Sequence, residues 1–393
     1  MTGRTLILTA GFGDGHNAAA YAIAEGIAEY AGENAEVCDL FEAVLPRLNR
    51  LLKWAYRSTI THLPGAWAAL YHSSAEGWLA NGSRRGLNRL CNPLELTLSK
   101  LRPARIISTY PVYPQLIRDI SQRASAPFPG IRTLTVVTDS ITVHPAWFRG
   151  RSDGYFVPDS RTATILTNRG YAPANRIFPF GFPTSPRLAR SVASRRDPLI
   201  ASADSPKPLR ILFFPTRSRH DVIDELEVLS ARLAGRAAHL TLVLGRHEKR
   251  LGPAVGEALK SLAPLSGRTT VHGWYPSAWE LMLEHDLLVT KAGGATIHEA
   301  LAARIPCLID KVVPGQEEGN AALVRQIGGG IVAAPGRDGF AHALDRIFQG
   351  TPGVQPHADP LPFLRGCQAA LAAHDSAGAT RKIVDEALRP QEP

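Results

Sequence analysis

The sequence predicts a two-domain α/β protein with parallel sheets, on three observations. Residues 5–9 (TLILT) are a short apolar run that opens into a glycine-bearing turn, Gly11-Phe12-Gly13-Asp14-Gly15-His16-Asn17, and then into a helical stretch. The same order recurs near the other end, where residues 286–290 run into Lys291-Ala292-Gly293-Gly294-Ala295 and a second helical stretch. A chain of 393 residues with 45% hydrophobic content can also bury two substantial cores. Strand–turn–helix units of this kind build open parallel sheets, which bind ligands at the carboxyl ends of their strands.

In chain order, the first helix is expected over residues 18–31. Ile23, Ile27 and Tyr30 lie on one face, Glu25 and Glu29 off it, and Gly32 closes the end. His16 stands at the start of that helix, where the dipole disfavours imidazolium and keeps the ring neutral near pH 7. A neutral imidazole at such a strand end can take a proton from a hydroxyl. The more ordinary role of a lone histidine is a hydrogen bond within its own turn.

Residues 42–105 carry Arg47, Arg50, Lys53, Arg57, Arg84, Arg85 and Arg89 among Trp54, Tyr56, Trp67, Tyr71 and Trp78. Acids are scarce there: Glu42, Glu76 and Glu95. Leu48, Leu51, Leu52 and Ala55 form a helical stripe, with Arg50, Lys53 and Arg57 largely off it. Basic groups flanking an apolar face suit an anionic membrane surface. The same pattern describes an ordinary core helix with a solvated basic side. No recognition motif for nucleic acid accompanies it, which ranks single-strand binding lower.

Further strands are expected at residues 105–109 and 133–138, with Asp139 at the end of the second. Asp139 can orient His16, bind an acceptor, or cap a local turn. Residues 190–208 are rich in Ser, Ala, Pro and charge without period, the composition of a linker. The second domain opens at residues 210–214, followed by Pro215-Thr216-Arg217-Ser218. A strand at 240–244 leads to Gly245-Arg246-His247-Glu248-Lys249, and Val271-His272-Gly273-Trp274 follows.

The helix after Gly294 is expected over 296–303, ended by Pro306, with Cys307 to Ile309 as the next strand. Its free N–H groups and dipole suit a phosphate, and Gly293 and Gly294 let a diphosphate approach the backbone. Thr296 and Glu299 fit capping-box spacing, which would tie Glu299 to its own helix. The cluster Pro314-Gly315-Gln316-Glu317-Glu318-Gly319-Asn320 should share the rim and offers groups that bind sugar hydroxyls. A connector at 351–362 and a helix over 363–388 end the chain.

Residues 286–327 strongly resemble the carboxyl-terminal domain of monogalactosyldiacylglycerol synthases and related UDP-sugar glycolipid transferases, processive diacylglycerol glucosyltransferases among them. The likeness extends to the G-x-G-H-x-x-A form of residues 13–19. It also takes in Asp139, His144, Pro145 and Trp147 in a T-D-x-x-x-x-H-P-x-W pattern, and Gly181-Phe182-Pro183-Thr184-Ser185-Pro186.

The resemblance implies a GT-B fold, two Rossmann-like domains whose sheets face a central cleft. It divides the chain into an acceptor domain 1–189, a linker 190–208, a donor domain 209–362, and a helix 363–393 returning to the first domain. It implies inverting transfer of a hexose from a UDP-sugar to diacylglycerol, with His16 as base and Asp139 assisting, and with no cofactor or metal. Gly13, Gly15, His144 and Trp147 fall to the acceptor side; Arg50, Lys53, Trp54 and Arg57 fall to the membrane. Gly245 and Arg246 would line the nucleotide, Gly273 and Trp274 the uracil. Lys291, Gly293, Gly294, Ala295 and Thr296 would hold the diphosphate, and Glu299 the ribose. Pro314, Gly315, Gln316, Glu317 and Asn320 would hold the hexose. The sequence departs from the family at Asp14, where relatives carry a small residue, and at 215–218, where they carry glycines.

A formal charge of +9 implies attraction to something anionic: nucleic acid, membrane or nucleotide. Four cysteines without metal or paired spacing point to a reducing cytoplasm. The first residues lack a signal peptide's apolar region, and no run approaches the ~20 apolar residues that cross a bilayer. The expected location is cytoplasmic, peripheral on the inner face of the membrane. Two other classes stay open. One is a same-fold enzyme on a soluble substrate, such as a UDP-sugar 2-epimerase or a transferase to a non-lipid acceptor; the other is a non-catalytic lipid- or nucleotide-binding module.

Overall fold

The computed structural model describes residues 4–63, 65–67, 69, 84–122, 131–194, 208–216, 218–315, 317–349, 362–374 and 376–390. The first sheet holds β1 (Thr5–Thr9), β2 (Ala35–Asp39), β3 (Arg105–Ser108), β4 (Arg132–Val136), β5 (Gly154–Phe156) and β6 (Ile177–Phe178), in the order β2-β1-β3-β4-β5-β6. The second holds β7 (Leu209–Phe213), β8 (Ala238–Val243), β9 (Thr269–His272), β10 (Leu287–Lys291), β11 (Cys307–Lys311) and β12 (Gly330–Val332), in the order β12-β11-β10-β7-β8-β9. Every pairing is parallel.

Both faces of β1 are covered, which is why its sequence is not alternating. Ile7 packs with Ile107, Leu134 and Phe156 against Ala20, Ile23 and Ile27 of the helix Asp14–Ala31. Leu6 and Leu8 face the other way, toward Leu90, Leu94, Leu116 and Ile120. That helix starts four residues earlier than expected because extended Gly13 is its N-cap, which puts Gly15 and His16 in the first turn. Gly32 closes it at φ +65°.

Topology decides where each sheet can hold a ligand. After β1 the chain crosses to β2 on one side, then returns to place β3 on the other. After β7 it runs through β8 and β9, then places β10 on β7's free side. At such reversals successive connections leave in opposite directions and open a crevice at the strand ends. The turns after β1 and β3, and after β7 and β10, lie at these two points.

The chain divides into two compact units, Met1–Ala189 with Val313–Asn320 and Ser376–Pro393, and Arg190–Val312 with Ala321–Asp375. Residues 190–193 end the helix Pro186–Ala193, and 195–207 lie outside the described residues. The ending is two helices, not one. Pro362–Ala373 buries Leu364 in the second core, and Ala379–Leu388 buries Ile383 and Val384 in the first. Ser376 and Gly378, both poor in helix interiors, fall in the break.

The last helix is fastened within the first unit. Thr380 Oγ1 donates to Thr184 O at 2.6 Å and accepts from Thr184 N at 3.0 Å. Arg132 donates to the helix-end carbonyl of Glu386 at 2.9 Å and to its carboxylate at 2.9 Å. Both side chains of that pair are largely buried. Arg132→Met should therefore cost about 3 kcal/mol, the low end for breaking a buried pair, since Arg389 still reaches Glu386. Urea denaturation of the variant checks this, and a loss under about 1 kcal/mol would mark the pair as surface-like.

Candidate active site

In the first unit, three strand ends meet at His16, which itself follows β1. Its Nδ1 lies 2.8 Å from the carbonyl of Thr109, after β3, and 3.1 Å from Thr138 Oγ1, after β4. A carbonyl can only accept, so Nδ1 carries the proton and Nε2 keeps the lone pair. The bond reaches 93 residues along the chain and is not a bond within the histidine's own turn. Protein atoms crowd the ring although part of it remains accessible, and this poor hydration lowers its pKa to about 4.

Asp139 does not orient His16, whose Nδ1 is already engaged. Its Oδ2 accepts instead from Trp147 Nε1 at 2.8 Å. Trp147 is 1% exposed, and its ring lies 5.9 Å from that of His16. Trp147 thus packs within the first unit's core, linking Asp139 to the neighbourhood of His16. Burial raises Asp139 to about 6, against the pull of the indole N–H. His144 accepts from Ala146 N at 3.2 Å and caps the short helix Pro145–Phe148.

Sequence reasoning missed the aromatic wall. Tyr110 meets His16 edge-on at 5.1 Å and stacks on Phe12 at 5.7 Å; Phe41 packs on Phe12 at 5.3 Å and on Tyr110 at 5.8 Å. Tyr113, fully buried, props this wall by donating to Thr9 O at 2.7 Å. Phe12 and Tyr110 each follow a strand adjoining the topological switch, and that position was the available signal.

The helix Pro46–His62 turns its polar side inward. Asn49 is buried and donates to Glu42, and Lys53 Nζ lies 2.9 Å from Glu42 Oε2 and 3.9 Å from Asp39 Oδ2. Leu51, Leu52 and Trp54 point out, 57%, 41% and 67% exposed, with Leu48 beside them. The stripe is therefore no core face, and Lys53 is a partly buried cation paired with acids rather than a free one. Arg50 is exposed, while the side chain of Arg57 lies outside the described residues, as do Tyr71 and Trp78.

In the second unit the helix Gly294–Ala303 begins after Gly293, with no side chain capping it. Thr296 is the third helical residue, so Thr296 and Glu299 form no capping box. The first helical bond runs from Ile297 N to Gly293 O, which leaves the N–H groups of Gly294, Ala295 and Thr296 at an open helix start beside Lys291. Glu299 is not spent on the helix. It keeps some accessible surface but is hemmed in by protein, and burial raises its carboxyl to about 7.

Trp274 is exposed, with the Arg246 guanidinium 5.0 Å from its ring, and Gly245 N bonds Gly273 O at 3.0 Å. Gly245 stands at φ +55°, a left-handed conformation that favours glycine. The carboxylate of Glu248, absent from the expected set, lies over Gly273. Ser218 caps the helix Arg219–Leu233, and Arg217 lies outside the described residues. Gln316 lies outside them too. Glu317 is buried and its Oε2 accepts from Val313 N at 3.1 Å, which ties it to its own turn, the one Gly315 enters at φ +81°. Asn320 is likewise buried.

Residues 16–184 match the family model described as monogalactosyldiacylglycerol (MGDG) synthase. A processive diacylglycerol beta-glucosyltransferase of Bacillus cereus strain B4264 is 25% identical over 347 residues, covering 86% of this chain and 84% of that protein. MurG of Acinetobacter baumannii aligns with a TM-score of 0.59 at 14% identity over 98% of each chain. HepE of Anabaena, solved in complex with UDP, aligns with a TM-score of 0.52 at 14% identity over 98% of this chain and 99% of its own. The fold is GT-B. At such identities the structural likenesses speak for the fold alone.

Proposed function

We propose, from the premise that this chain is a relative of the monogalactosyldiacylglycerol synthases and diacylglycerol glucosyltransferases, that it moves a hexose from a UDP-sugar to diacylglycerol or a related lipid, with inversion. The observation that carries this reading is His16, whose bond to Thr109 leaves Nε2 as a base beside an aromatic wall suited to a lipid alcohol. Nε2 takes the proton of the acceptor hydroxyl, the oxygen attacks the anomeric carbon, and the bond to the diphosphate breaks as UDP leaves. Ionised Asp139 favours the imidazolium as it forms. The open helix start at Gly294 receives the charge that builds on the diphosphate, with no metal in the chemistry. Glu299 accepts the ribose hydroxyls, and the exposed Trp274 ring offers a face to uracil.

The outward leucines support docking of the first unit on an anionic bilayer surface, since a stripe of this size gains by leaving water and the chain carries +9. Among the described residues no helix is long and apolar enough to cross a membrane. Changing Leu51, Leu52 and Trp54 together to serine should weaken flotation with phosphatidylglycerol vesicles by about 100-fold, at ~1 kcal/mol for each partly inserted side chain. UDP binding should be unchanged. Undiminished flotation would move the lipid contact elsewhere.

A further inference from the structure

We infer that Lys53 and Asp39 are positioning residues for His16, holding the glycine turn that carries it from the inner side of the lipid-facing helix. The inference rests on the reading of His16 as base. Asp39 ends β2, next to β1, and its two oxygens are divided. Oδ2 accepts from Gly11 N at 2.9 Å, and Oδ1 accepts from Glu42 N at 3.1 Å. One carboxylate thereby fixes the catalytic turn and starts the helix Leu40–Val44. Thr9 Oγ1 donates to Asn17 Oδ1 at 2.9 Å and closes the turn from its other end, one residue past His16.

Lys53 completes the arrangement. Its ammonium bonds Glu42, faces Asp39, and rests on the turn itself: a methyl group placed on Gly11 would stand 2.9 Å from Nζ. Without that charge two neighbouring carboxylates repel, and Asp39 loses its hold on the Gly11 amide. The turn then loosens and His16 moves. A displacement of about 1 Å in a catalytic group can cost about 100-fold in rate. This accounts for the polar groups on the side of the helix away from its leucines: Asn49 is buried there and Lys53 is partly buried, because that side serves the turn.

The test compares Lys53→Met and Lys53→Arg with the wild type, on dioleoylglycerol in vesicles and on dissolved dihexanoylglycerol. Lys53→Met should lower kcat at least tenfold on both acceptors, with KM for the UDP-sugar and vesicle affinity unchanged. Lys53→Arg should restore most of it. Exchange of the Gly11 amide with deuterium should quicken about tenfold in Lys53→Met, as expected when a charged hydrogen bond is weakened. Should Lys53→Met not fold, Lys53→Gln keeps a donor without the charge and should fall between. Weaker vesicle binding with normal turnover on the dissolved acceptor, or an unchanged Gly11 exchange rate, would overturn the inference. Wild-type protein that transfers sugar to neither acceptor would sink the reading of function, and Gly11 exchange would still decide the positioning.

Discussion

His16→Ala is expected to lower kcat by about 10²–10⁴-fold, the usual contribution of a positioned base, while UDP affinity stays at the wild-type value. Steady-state transfer and UDP titration separate the two. The pH profile carries a second signature. With His16 depressed to about 4, its own protonation cannot limit the rate at pH 6. On the proposal that ionised Asp139 favours the forming imidazolium, a limb near 6 would belong to Asp139. Asp139→Asn should remove that limb and leave a slower rate, flat down to about pH 5. Normal turnover in His16→Ala would end its assignment as base.

Glu299→Ala should weaken UDP binding by about 100-fold, the loss of charged hydrogen bonds to ribose. The effect on stability runs the other way. A carboxyl whose folded pKa is about 7, above its ordinary 4.5, makes the folded state hold its proton more tightly than the unfolded chain does. That advantage is full below about 4.5 and is lost as pH rises through about 7. At pH 8 the variant should therefore melt no lower than the wild type. Ribose hydroxyls favour the ionised carboxylate, so UDP affinity should rise between pH 6 and 8 with proton release, measurable by titration calorimetry in buffers of different ionisation enthalpy. Equal UDP affinity with lower stability would return Glu299 to a structural role.

The long apolar strands β1, β7 and β10 could be read within a residue or two, because residues buried on both faces leave a continuous apolar run. The strands β2 (AEVCD), β5 (GYF) and β9 (TTVH) could not, since they are short or partly exposed and pairing makes them strands. Of the candidate site, the positions of His16 and Glu299 in helices that follow strands were legible because each stands in a strand–turn–helix motif. Their chemistry was not. The bond from His16 to Thr109 and the distance of Glu299 from its helix cap are facts of tertiary placement. Lys53 shows the opposite failure. Counted as one more cation in a basic stretch, it is paired inward with two acids whose proximity no local pattern reveals. The burial of Glu317 and Trp147, and their hydrogen bonds to Val313 N and Asp139, are likewise tertiary facts that no local pattern reveals.

The most direct measurement supplies the purified protein, in EDTA, with UDP-glucose, UDP-galactose or UDP-glucuronate and dioleoylglycerol vesicles, and determines the lipid product's anomeric configuration by NMR. Release of UDP with formation of a β-linked glycosyl-diacylglycerol from one of these α-linked donors is the predicted result. A product that retains the α configuration, a free 2-epimerised sugar, or UDP binding with no glycolipid formed from any donor would contradict it.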